Sequence, residues 1–70
     1  MNPSQFLAAL GSRRSLVYHS GLLMADRQHD AAVDALADAA MAAYSRGLCW
    51  LFQRRDPAGH CDYLAIRRRP

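Results

Sequence analysis

Asp56-Pro57-Ala58-Gly59 stands between two apolar runs and constrains the fold more than any other feature. Proline presets the backbone for an early turn position, and glycine supplies the left-handed one. The flanking segments Leu48–Gln53 and Cys61–Ile66 are rich in aromatic and aliphatic residues and read as strands. Together they predict an antiparallel hairpin around Arg54–His60. A hairpin alone is marginal in water and needs a third strand or a helix over one face. The remainder of the chain must therefore cover it. With 70 residues there is room for one small domain, 1–70. A core of that size supplies only about 3–5 kcal/mol of margin. A homodimer would add to it and is a standing expectation.

Pro3–Gly11 reads as a short helix. Asn2 or Ser4 can cap its start, Pro3 suits its first turn, and Gly11 suits a left-handed stop. Leu16-Val17-Tyr18-His19 reads as a strand. It can continue through Met24, with Gly21 marking a bulge or a close backbone approach, or Gly21–Gln28 can form a short helix of its own. The main helix starts at an Asp26 or Asp30 cap, runs to about Arg46 and stops at Gly47. Val33, Leu36, Ala37, Ala40, Ala43 and Tyr44 share one face of it at helical spacing.

These elements predict an α+β fold in the order α-β-α-β-β, with two helices on one face of a three-stranded antiparallel sheet. The expected core is Phe6, Leu10, Val17, Val33, Leu36, Ala40, Tyr44, Leu48, Trp50, Phe52, Leu64 and Ile66. Cys49, Leu51 and Tyr63 then fall on the open sheet face, a candidate partner surface. A hairpin register pairing Arg55 with Asp62 puts Cys49 near Arg68 and far from Cys61, too far for an intrahairpin disulfide.

Charge is unevenly placed. The net formal charge is +3, and every cation is arginine while every anion is aspartate. That usage, with abundant alanine, fits coding in a GC-rich bacterial or phage genome. Residues 1–25 carry Arg13 and Arg14, residues 26–43 carry four aspartates against Arg27, and residues 44–70 carry six arginines against Asp56 and Asp62. Such a chain presents an acidic face and a basic face to different surroundings. The start has no basic region ahead of its apolar run, so no signal peptide is expected and a cytoplasmic location is. The apolar runs are too short to span a bilayer, so no membrane partner is expected.

Catalytic and metal signals are weak. His60-Cys61 is the one close pair of ligand types, and adjacent strand residues point to opposite faces, so no metal is expected. Cys49 sits among Leu48, Trp50 and Leu51, a setting that keeps a thiol inert. His19 with Asp26 or Asp30 can be drawn as a base and its orienter, but a histidine beside a strand tyrosine is more often structural. Phosphate-loop, nucleophile-elbow and zinc-protease motifs are missing. No cofactor is expected, and the chain reads as a non-enzyme.

The arginines remain. Arg54 and Arg55 lie at the hairpin tip, while Arg67, Arg68 and Arg69 lie at its base, where Arg13 and Arg14 can join them. A basic tip suits a wing that reaches phosphate or the minor groove. The plainer reading is that arginines blunt the sheet edges and lie over Trp50 and Tyr63. Tyr44-Ser45-Arg46-Gly47-Leu48 followed by 48–67 resembles the passage from helix to wing in the winged-helix family. That resemblance implies DNA binding. The helix before the wing nevertheless presents Asp30, Asp34 and Asp38, which repel phosphate, so it would serve a protein contact instead. Tyr18-His19-Ser20-Gly21-Leu22 with Asp26-Arg27, and the stretch from Gly47 to Arg55, resemble small proteins of temperate phages and prophages. This implies a mobile-element accessory role.

Two functions follow. In the first, Arg13, Arg14, Arg54, Arg55, Arg67, Arg68 and Arg69 hold nucleic acid. In the second, the helix face of Asp30, Asp34, Asp38, Ala35, Ala39 and Ala42, or the open sheet face, docks on a host or phage protein and modulates it.

Overall fold

The computed structural model describes residues 1–68; Arg69 lies outside them. The chain runs α1 (Pro3–Ser12), β1 (Ser15–Ser20), α2 (Leu23–His29), α3 (Ala31–Ser45), β2 (Cys49–Arg55) and β3 (Cys61–Arg67). The strands form one antiparallel sheet in the order β1-β3-β2. Helices α1 and α3 pack on the sheet, and α2 packs on α3. This is the expected α+β arrangement, with one helix more than the two expected. The segment after Gly21 forms its own short helix instead of extending β1.

Local chemistry explains the ends. Asn2 accepts the Gln5 amide hydrogen while the Gln5 side chain accepts that of Asn2, a reciprocal capping box that starts α1. Gly11 does not end it: α1 continues to Ser12, and Gly11 stays helical. Asp30, not Asp26, caps α3 by accepting from the backbone of Ala32 and Val33. At the far end Gly47 takes φ +77°, and the amides of Gly47 and Leu48 donate to Tyr44 and Ala43. That geometry favours glycine and stops the helix as the sequence suggests.

The hairpin turn also forms as read. Gly59 has φ +91°, and its amide donates to the Asp56 carbonyl at 3.0 Å. The Asp56 amide then donates to the His60 carbonyl at 2.9 Å, which makes these two the last backbone-bonded positions of the hairpin. The register that follows pairs Arg55 with Cys61 and Cys49 with Arg67, one residue from the expected pairing. Both cysteines are buried free thiols at opposite ends of the hairpin.

The larger correction concerns the sheet faces. Trp50, Phe52, Leu64 and Ile66 do share a face, since Trp50 pairs with Ile66 and Phe52 with Leu64. That face is the open one. Trp50 is 45% exposed, Phe52 52% and Val17 42%. The helices instead cover Leu16, Tyr18, Cys49 and Ala65, with Leu51 and Tyr63 half-buried against them, and Cys61 is buried as well. Tyr44 and Leu48 are exposed as well. From the helices, Phe6, Leu10, Leu36 and Ala40 enter the core as expected, joined by Ala37 and Ala43. The reason is volume. Small residues on the sheet, Cys49 and Ala65, share a core with the small Ala40 and Ala43 of α3, so the layers approach closely around Phe6 and Tyr18. A face carrying Trp50 and Phe52 would hold the helices off.

β1 contains one bulge. Val17 pairs with Leu64 and His19 with Tyr63, leaving Tyr18 extra. Tyr18 and His19 are thereby both turned toward Tyr63 on the helix side.

Candidate nucleic-acid interface

One end of the sheet gathers cations. There β1 and β2 begin and β3 ends, so Arg13, Arg14, Arg67 and Arg68 come together, with Arg46 at the end of α3. The Arg67 amide donates to the Arg14 carbonyl at 2.8 Å, and the Arg68 amide to the Leu48 carbonyl at 3.0 Å. The Arg67 guanidinium donates to the Gly11 carbonyl at 2.8 Å, one of the last carbonyls of α1. The Arg68 guanidinium lies 4.4 Å from the Trp50 ring centroid. Tyr44 flanks the same indole, with centroids 6.3 Å apart. The expected joining of Arg13 and Arg14 to the hairpin base is therefore present.

Among the described residues, two clefts border this end. One, of about 270 Å³, is lined by Arg14, Trp50, Ile66, Arg67 and Arg68. The other, of about 300 Å³, has an apolar floor from Leu7, Leu10 and Leu48 beside Arg67 and Arg68.

The hairpin tip differs. Arg54 donates to Asp62 at 3.0 Å, and the Ser20 hydroxyl donates to the other Asp62 oxygen at 2.7 Å. The hydroxyl and the guanidinium together hold the Asp62 carboxyl below the usual range. Arg55 follows without an ion pair among the described residues, but Asp56 and His60 sit beside it, 3.3 Å apart. The tip is thus of mixed charge. Among the described residues no ion pair reaches Arg13, Arg14, Arg46, Arg67 or Arg68.

The acidic helix is also engaged by the fold. Arg27, on α2, donates to Asp34 at 2.8 Å and to Asp38 at 2.6 Å. Asp30 is committed to the α3 cap. Ala35 and Ala42 are exposed, while Ala39 is half-buried and packs against the core. Arg27 is the residue that sequence reading passed over. Its partners lie seven and eleven residues away, across a helix break with no periodic signature.

Two remaining candidates for chemistry are structural in their surroundings. His19 Nε2 lies 2.7 Å from Asp26 Oδ2, with the imidazole only 13% exposed, and ties β1 to α2. Gly21 makes this possible: it has φ +126°, and a Cβ there would sit 2.9 Å from the same Asp26 oxygen. Cys49 is fully buried, which pushes its thiol pKa up.

No family model, no curated protein and no solved structure matches this chain. Among the described residues no helix is long and apolar enough to cross a membrane.

Proposed function

We propose that the chain is a small non-enzymatic accessory protein that binds nucleic acid through the arginines at the base of its C-terminal hairpin. The observation that carries this reading is the convergence of Arg13, Arg14, Arg67 and Arg68 at one sheet end, free of carboxylate partners among the described residues. The aspartates lie elsewhere: Asp26 and Asp62 near the opposite end, Asp30 at the start of α3, Asp56 in the turn, and Asp34 and Asp38 under Arg27. The molecule is thereby polar along the sheet, and phosphate meets least repulsion at the base. This shifts the contact from the tip, where Asp62 neutralises Arg54, to the base. The phage-type and winged-helix resemblances are compatible with the role.

Fluorescence anisotropy with labelled oligonucleotides tests it. Binding at low salt should weaken steeply as salt rises. Replacing Arg13 and Arg14 together with glutamine should weaken binding about equally for all sequences. It should also lower the salt slope by about 1 for each phosphate no longer held. Replacing Arg54 should do much less. Absence of binding at low salt would sink the reading.

A second reading has its own support. The exposed Val17, Trp50 and Phe52 form an apolar sheet face of the kind that docks on protein. Under it, affinity purification from the native host recovers one specific protein and nuclease makes no difference.

A further inference from the structure

Building on the phosphate-binding reading, we propose that the ligand is single-stranded nucleic acid and that Trp50 and Phe52 stack on its bases. The open sheet face is where the two features meet. Trp50 and Phe52 are the large aromatic residues of that face, each about half exposed. They are two residues apart on β2, so both project to the same side, about 6.8 Å apart along the strand. A stacked nucleic-acid strand advances only about 3.4 Å per nucleotide. Neighbouring bases seated on the two rings are spread to twice that rise and so come off one another. A duplex cannot offer this, because its bases are paired inside; an extended single strand can.

Charge complementarity chooses this occupant over an apolar one. The aromatic pair does not sit in a neutral surface. Arg14, Arg67 and Arg68 line one cleft with Trp50 and Ile66, so a phosphate bound there lies next to the indole. The Arg68 guanidinium is stacked on one face of Trp50 at 4.4 Å. A planar guanidinium is itself a stacking surface for a base and a donor to phosphate. From Trp50 the face continues through Leu64 and Phe52 toward Ser20, Arg54 and Asp62 at the far end. The Arg54–Asp62 pair offers phosphate no net charge there, so the strand is held at the arginine end and its bases lie along β2. Sequence tolerance is expected, since every base has a π-face.

The chain holds a single tryptophan, so the site carries its own reporter. Tryptophan emission is measured while the full chain is titrated with oligothymidylate, oligoadenylate and a blunt duplex of equal length, at about 50 mM salt and again at about 200 mM. Single strands should quench Trp50 and bind more tightly than the duplex. Anisotropy on labelled strands then compares Trp50→Leu, Phe52→Leu and Trp50→Phe with the unaltered chain. The leucine variants should each lose about 5- to 150-fold in single-strand affinity. Trp50→Phe should recover most of it, and Phe52→Leu should leave duplex binding unchanged. Phe52→Leu keeps the comparison valid should Trp50→Leu fold poorly.

The failures are distinguishable. If the leucine variants bind as the unaltered chain does, while loss of Arg13 and Arg14 weakens binding, the phosphate reading stands and the stacking inference falls. If no nucleic acid binds, both fall. If sedimentation shows a dimer whose formation is blocked by Phe52→Leu, a second copy covers the face and the inference is overturned.

Discussion

Replacing Phe52 with threonine tests which face of the sheet is the core. Phe52 is 52% exposed and points away from the helices. Full burial of a phenylalanine contributes about 1.5–3 kcal/mol, so a half-exposed ring contributes about 1 kcal/mol. Threonine keeps strand propensity and offsets part of the loss. The expected shift in melting temperature is therefore small, about 4–8 °C for each kcal/mol in a domain of this size. Two controls bracket it. Phe6 is fully buried, and Phe6→Ala should cost about 3–5 kcal/mol, which equals the whole margin and unfolds the chain. Ala65 is also fully buried, under the helices, and Ala65→Leu should cost about 1–3 kcal/mol by overpacking. Urea unfolding followed by circular dichroism reads all three. A Phe52→Thr chain that unfolds like Phe6→Ala, or an Ala65→Leu chain as stable as the original, would show the faces reversed. A Phe52→Thr penalty that grows with protein concentration would show that a second copy covers the face.

Gly21→Ala should destabilise by about 1–3 kcal/mol, because φ is +126° and the new Cβ meets Asp26 Oδ2 at 2.9 Å. Thermal unfolding checks it, and a neutral result would rule out the close packing at His19 and Asp26. Burial raises the Tyr18 pKa, so the folded state resists ionisation while the unfolded state does not. Stability is then full below the ordinary tyrosine value of about 10 and falls as pH rises above it. Urea midpoints between neutral and strongly alkaline pH should show this fall. Tyr18→Phe should reduce the fall, the raised Cys49 thiol supplying part of what is left, and an unchanged slope would exclude Tyr18 as a source.

The acidic helix shows how far charge counts carry. Asp30, Asp34 and Asp38 read as a repulsive stripe open to a partner. In the fold Asp30 is the cap of α3, and Asp34 and Asp38 are gripped by Arg27. A count of aspartates sees the sign of a surface but not which carboxylates are already satisfied. The arginine clusters show the same limit. Their split between tip and base was legible, because antiparallel strands place the two ends of a hairpin apart. The neutralisation of Arg54 by Asp62 was not, since it rests on a register set by one turn residue.

Local chemistry alone determined most of the element boundaries. The capping box at Asn2, the left-handed stop at Gly47 and the turn at Gly59 each act through residues a few positions apart, so a one-dimensional reading can see them. The sheet face could not be read that way. Both faces of β2 and β3 are apolar, and a period of two gives the grouping without its direction. Tertiary packing made the choice. The alanine-lined α3 and the small sheet residues Cys49 and Ala65 allow close approach, and this burial leaves Trp50 and Phe52 facing outward beside the arginines.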